Sequence, residues 1–246
     1  RPIIHRLTNH QNKHQLWSWW GNSENTSFWM SAHILRALKM AQDAGYPVEL
    51  NLNGLKVEYA HTRPYRGMKL EDIAILHALH EWKVEADYSS AVRLLEPFVR
   101  QLEQKEDSLA NRNKYYRPLS YLKEKLLLWE IKQQVDSVNV GDSVRPYLKK
   151  DMLEGVYCDD GRRTYYWEGN QMINTLIAYR IIKNDPSLCK LKENMQLYIL
   201  RTKERGWNTY QASSAVATVL TDLLAGSGGM SGTSVSVSGK DHQRIT

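Results

Sequence analysis

The tightest group of side chains able to bind a metal or move a proton lies in "LHALHEW", residues 76–82. His77, His80 and Glu81 stand three and four apart, the spacings at which side chains meet on one helix face. A hydrolytic zinc helix needs two histidines at i and i+4 with a glutamate directly after the first. Here the histidines are at i and i+3, and the glutamate follows the second. The pattern reads as the polar flank of a helix, without a metal or a catalytic role. His33 shares a side with Arg36 and reads as solvated. "YCDDGRR", residues 157–163, sets Cys158 beside Asp159 and Asp160, but an acidic turn containing glycine needs no ion to explain it. Cys158 and Cys189 allow at most one bridge, too few for a disulfide scaffold. Carboxylates also adjoin other groups in "WE" and "HE", yet nothing in the sequence sets the separation that glycoside hydrolysis requires.

The chain that must position these groups has 246 residues, 42% apolar and 24% charged, the balance of a globular protein. Two phenylalanines stand against fourteen tyrosines and eight tryptophans, so its aromatic bulk is mostly amphipathic. A net charge of +6 and a pI near 9.1 raise the question of nucleic acid or an anionic surface as partner. The cations are interleaved with acids, as in "RQLEQKED" and "LKEKLLLWEIK", which describes a solvated mixed-charge surface and no nucleic-acid groove. No apolar run nears the ~18 residues of a bilayer span. Residues 1–15 are polar and unlike a signal peptide, and a chain that starts at Arg1 reads as a processed piece of a larger protein.

Helical periodicity dominates. In residues 27–45, Ser27 is placed as an N-cap and Gly45 as a C-terminal stop, with Met30, Ile34, Leu38 and Ala41 on one stripe. Small residues (Ser31, Ala32, Ala37, Ala44) leave the other flanks thin enough for close neighbours. A short helix is expected near 49–60, followed by a loop punctuated by Pro64 and Gly67. Residues 70–86 carry apolar groups on two sides (Ile75, Ala78, Leu79 and Trp82; Leu70, Ile73 and Val84), the mark of an inner-layer helix. Helices follow at about 88–104, where Pro97 should bend or end the helix, and at 118–137 and 143–153. A helix capped by Asn170 carries Ile173, Leu176, Ile177 and Ile181, and two more span about 188–204 and 209–224.

The stretch "LWSWWGN", residues 16–22, ends a tryptophan-rich turn at Gly21, just before a helix. The device recurs in "RGWNTYQASSAVATVL", where Gly206 and Trp207 precede a cap at Thr209 and a helix with Ala212, Ala215, Val216, Val219 and Leu223 inward. An indole there can plug the gap between successive helix pairs, while glycine allows the tight backbone. Helical hairpins plugged in this way around a ring build an α/α toroid. Residues 11–45 resemble the Trp-Gly turn and following helix of the thioester domain in bacterial alpha-2-macroglobulin-like proteins. Residues 170–220 resemble that family more closely, in the order helix, Asp-Pro, helix, Arg-Gly-Trp and Thr-rich helix, an order shared with complement thioester domains. The matching positions are Trp17, Trp19, Trp20, Gly21, Asn170, Gly206, Trp207 and Thr209.

The resemblance implies an all-α domain of the α/α-toroid type over residues 1–225; it is followed by a Gly/Ser linker at 226–233 and, from the period-two alternation of "TSVSVSG", by the first strand of a β domain at 234–246, with a Gly/Ser loop as the alternative. It implies a non-enzymatic part of a protease-trapping protein in the periplasm or cell envelope, docked on neighbouring β domains and acting on target proteases. The family's thioester joins Cys and Gln in a Cys-x-Glu-Gln motif. Here Cys158 is followed by "DDG" and Cys189 by "KLK", so no thioester residue, cofactor or metal is assigned. His61, in "VEYAHTRPY", occupies a place comparable to the family's acyl-accepting histidine, with a plain loop histidine as the alternative. The competing expectation is a toroid enzyme acting on polysaccharide or isoprenoid, for which the acidic turn at 157–163 would be the starting point.

Overall fold

The computed structural model describes residues 2–20, 25–52, 68–164, 171–203, 206 and 209–226. The chain is mostly helical, with little strand. An amphipathic helix α1 (Pro2–Asn9), not expected from the sequence, leads through a turn to α2 (Phe28–Asp43). Both ends of α2 are local chemistry. The Ser27 hydroxyl accepts from Met30 N at 3.3 Å. At the other end Gly45 takes φ +84°, so that Tyr46 N reaches back to Ala41 O at 3.0 Å. The stripe is rotated from the expected one: Ser31, Ala32, Leu35 and Leu38 are buried, whereas Met30, Ile34 and Ala41 are only half-buried. The small residues won the inner face because α3 packs close against them.

Helix α3 (Leu70–Glu81) is buried from Asp72 to Leu79. It lies between two apolar clusters, giving Ile73 and Leu76 to one and Ala74, Ile75, Ala78 and Leu79 to the other. A helix packed on both sides has no polar stripe, which explains its sequence. Helix α4 (Tyr88–Arg112) is capped by Asp87 and amphipathic. Of the two outcomes expected at Pro97, it does not end there, and it runs past residue 104. Pro97 is exposed, on the face where the carbonyl that loses its partner can be hydrated. Helix α5 (Leu122–Val135) is largely buried against α3 and α4.

The helix expected at 143–153 is replaced by a one-turn α6 (Gly141–Val144), a 3-10 turn (Arg145–Tyr147) and a hairpin of β1 (Leu148–Lys150) with β2 (Val156–Cys158). The strands are antiparallel, Leu148 opposite Cys158. Asp151 overrides helical propensity here: its carboxylate accepts from Leu153 N at 2.8 Å and Gly155 N at 2.7 Å, closing the turn. Helix α7 (Gln171–Ile182) is buried nearly throughout, with β2, α5 and α8 (Cys189–Thr202) packed around it. Cys158 N donates to Thr175 Oγ1 at 2.9 Å, tying the hairpin to α7.

The last helix is one rod in three parts: α9 (Thr209–Ala215), a π turn (Val216–Leu220) and α10 (Thr221–Gly226). The π turn adds a residue to the helical repeat and so redirects the expected face. Ala215, Thr218 and Val219 are buried, while Val216 and Leu223 are exposed. Tyr179 holds the rod to α7, its hydroxyl 3.0 Å from Asp222 Oδ2 and accepting from Gln196 Nε2 at 2.8 Å. The short helix expected near 49–60 falls mostly outside the described residues; 49–52 are not helical. The linker and strand expected beyond residue 226 lie outside them as well.

Candidate functional site

Of the three clustered tryptophans, Trp17 alone acts as a plug. It is 3% exposed, its Nε1 donates to Leu7 O at 2.8 Å, and its backbone is pinned by Ser31 Oγ at 3.0 Å. It closes the cluster between α2 and α3. Trp19 and Trp20 are 62% and 87% exposed and plug nothing among the described residues. Trp19 stacks on Trp29 at 5.5 Å, and Trp29 in turn covers His33 at 4.2 Å, so His33 is half-buried under an indole rather than solvated. Gly206 has φ +85°, as a glycine turn requires. Thr209 begins α9. Gly21, His61, Asn170 and Trp207 lie outside the described residues.

The larger correction concerns His77. Its expected place on a polar flank is overturned, for it is 2% exposed and centred in an ionic cluster spanning three helices. His77 Nε2 is 2.8 Å from Glu130 Oε2 of α5. Arg180 of α7 grips the same carboxylate with both arms, Nε to Oε1 and Nη2 to Oε2, each at 2.7 Å. Glu81, one turn beyond His77, lies 3.5 Å from its Nδ1.

The electrostatics are self-consistent. Burial pushes the His77 imidazole toward neutrality, but the carboxylates of Glu81 and Glu130 outweigh it and raise its pKa above 6.5. Burial likewise opposes charge on Glu130, yet Arg180 and then His77 hold its carboxyl far below the usual range. For Glu81 burial is again outweighed, by His77, Arg180 and Arg36, and the pKa is held down to about 2. Burial and the charge of His77 lower His80, which sits edge-on to Tyr88 at 4.9 Å. Two cations and two anions thus cancel in the interior, the condition under which buried charge is tolerated.

Glu81 and Arg180 also face a cavity of about 150 Å³. Five segments far apart in sequence enclose it: α2, α3, α5, α7 and the α9–π-turn rod. Leu127, Ile173, Leu176 and Ile177 form its apolar wall, and Ser214 and Thr218 its hydroxyls. Arg36, Lys39, Lys123 and Arg180 bring four positive charges, against Asp43 and Glu81. Asp43 is paired with Lys39.

Neither glutamate of this cluster is poised as a proton donor or acceptor near neutral pH. A general acid or base works best with a pKa near the operating pH. Glu81 and Glu130 both sit far below it. Among the described residues no group of three His, Cys, Asp or Glu side chains is arranged to hold a metal, and no helix is long and apolar enough to cross a membrane. Cys158 is buried with its thiol pushed up to about 12 by burial first and by Asp159 and Asp160 next, and neither it nor the exposed Cys189 is bridged. Asp159 and Asp160 of the acidic turn are engaged by Gln171 Nε2 at 3.0 Å and Ser120 Oγ at 2.8 Å.

Glu130, Arg180 and Arg36 were not singled out from the sequence. A signal existed for the first two: each is the lone charge within an apolar helical run, "LLLWEI" and "LIAYRII". The chain matches no known protein family, no characterised protein and no solved structure.

Proposed function

We propose that the chain is the α/α-toroid domain of an alpha-2-macroglobulin-like protease trap, a non-enzymatic body working in the periplasm or cell envelope without a thioester of its own. The observation that carries this reading is the convergence of α2, α3, α5, α7 and the α9–π-turn rod on one cavity. Between them in the chain come the less buried, amphipathic α4 and α8. An inner helix followed by an outer one, repeated, is the toroid's construction. The buried Trp17 beside Ser31 agrees with the plugged turn of the family.

A second support is the state of the carboxylates. A toroid glycosidase needs two converging carboxyl groups, one able to hold a proton. Glu81 and Glu130 are instead committed to His77 and Arg180. In the proposed role the domain docks on neighbouring β domains and restrains a captured protease sterically.

The test uses the full-length protein that carries this chain. After incubation with an endoprotease, a steric trap leaves cleavage of a small peptide substrate intact and blocks cleavage of a large protein substrate. Equal effects on both substrates, or an effect on neither, would sink the proposal.

A further inference from the structure

We propose that the surface made by α1, the turn after it and the exposed indoles of Trp19 and Trp20 docks on an anionic phospholipid bilayer. The proposal stands on this surface alone and holds whether or not the chain belongs to a protease trap.

Charge selects the partner. Arg1, Arg6 and Lys13 share the first 20 residues with no acid, and these three cations supply +3 of the chain's net +6. The first acidic residue in the chain is Glu24, and the next, Asp43, stands at the far end of α2. Arg6 and Lys13 are exposed. Basic segments are drawn to anionic lipid headgroups, each Lys or Arg adding to the affinity.

The apolar groups decide between lipid and other polyanions. Ile4 and Leu7 of α1 pack inward, which leaves Ile3, 73% exposed, on an outer flank with Arg6 three residues on. Trp19 and Trp20 are exposed as well. An indole has an apolar body and one polar N–H, and it settles at the headgroup level of a bilayer. Amphipathic helices that carry cations beside apolar groups lie in the same layer. Nucleic acid or an acidic polysaccharide would use the cations and leave Ile3 and Trp20 in water.

The surface is built in advance. Asn12 Nδ2 donates to Thr26 Oγ1 at 3.0 Å, Ser27 N donates to Trp17 O at 2.9 Å, and the Trp17 indole is bonded to Leu7 O. These bonds tie α1, the turn and the start of α2 together. Trp19 is braced from behind by its stacking on Trp29, in the first turn of α2. Docking then has little conformational entropy left to remove.

Flotation of the chain with vesicles of equal parts phosphatidylcholine and phosphatidylglycerol should show binding that weakens as salt is raised. Vesicles of phosphatidylcholine alone should bind at least about tenfold more weakly, the share that two surface cations confer. Arg6→Gln combined with Lys13→Gln should weaken binding to the mixed vesicles by a similar factor. Trp20→Ala should weaken it about tenfold through the lost apolar contact, while Tyr115→Ala, equally exposed outside the segment, should not. Equal binding to both vesicles, binding to neither, or undiminished binding in Trp20→Ala would each overturn the proposal. Self-association that depends on Trp20, in place of vesicle binding, would overturn it too and assign the face to a second copy of the chain.

Discussion

Identical residue types in one turn have different roles. Trp17 is sealed between α2 and α3 with its indole N–H bonded to Leu7 O, whereas Trp20 meets solvent. Trp17→Ala should cost about 3–5 kcal/mol in chemical denaturation, and Trp20→Ala less than about 0.5 kcal/mol. Comparable losses would mean that the turn contributes as a surface cluster. The sequence displayed the cluster, but not which indole turns inward. That choice depends on Ser31, fourteen residues later, whose hydroxyl accepts from Trp17 N. The interior charges follow the same logic. Glu130→Ala should cost about 3–5 kcal/mol, because it strands Arg180 and His77 in the interior; a small loss would show that water takes over its role. Periodicity placed His77 on a helix, but its carboxylate partner is 53 residues away.

At the level of elements, local chemistry was legible wherever it acted over a few residues. Ser27 and Gly45 bound α2, and α3 declared itself an inner helix by carrying apolar groups on two sides. Sequence reasoning failed where one residue's local preference was overruled by its surroundings. Pro97 was expected to bend or end its helix, and α4 continues through it on a solvent-exposed face. Proline there forfeits one helical hydrogen bond and crowds the preceding turn. Pro97→Ala should therefore stabilise the chain by about 1–3 kcal/mol, measured as a raised denaturation midpoint. A loss instead would show that α4 needs the distortion. The hairpin at 148–158 was missed for the opposite reason: its residues tolerate a helix, and the Asp151 turn with the Thr175 contact draws them into strands.

For the whole molecule, the cluster makes stability depend on pH through proton linkage. His77 has a folded pKa above 6.5, so its contribution is fully present below the unfolded value and fades as pH rises through the folded one. Glu81 has a folded pKa of about 2 against 4.5, so its contribution is present above 4.5 and is lost as pH falls toward 2. Glu130 follows Glu81 in direction. His80 runs against His77, since its lowered pKa makes stability rise with pH near 6.5. A His77→Gln variant removes the imidazole together with its coupling to Glu81, Glu130 and His80, and above about pH 6 the imidazole dominates the difference. The wild-type advantage should be greatest at and below pH 6.5 and shrink on the alkaline side; an advantage that grows with pH would refute the buried, charged imidazole. By itself the sequence determined that the chain is helical, where most helices begin, and that the 70–86 helix lies deep, because caps and periodicity act within a turn or two. Only the tertiary structure decided that His77, Glu130 and Arg180 meet and that a cavity opens beside them. Those pairings join residues 50 or more positions apart, and their energy exists only once the helices have closed around them and excluded water.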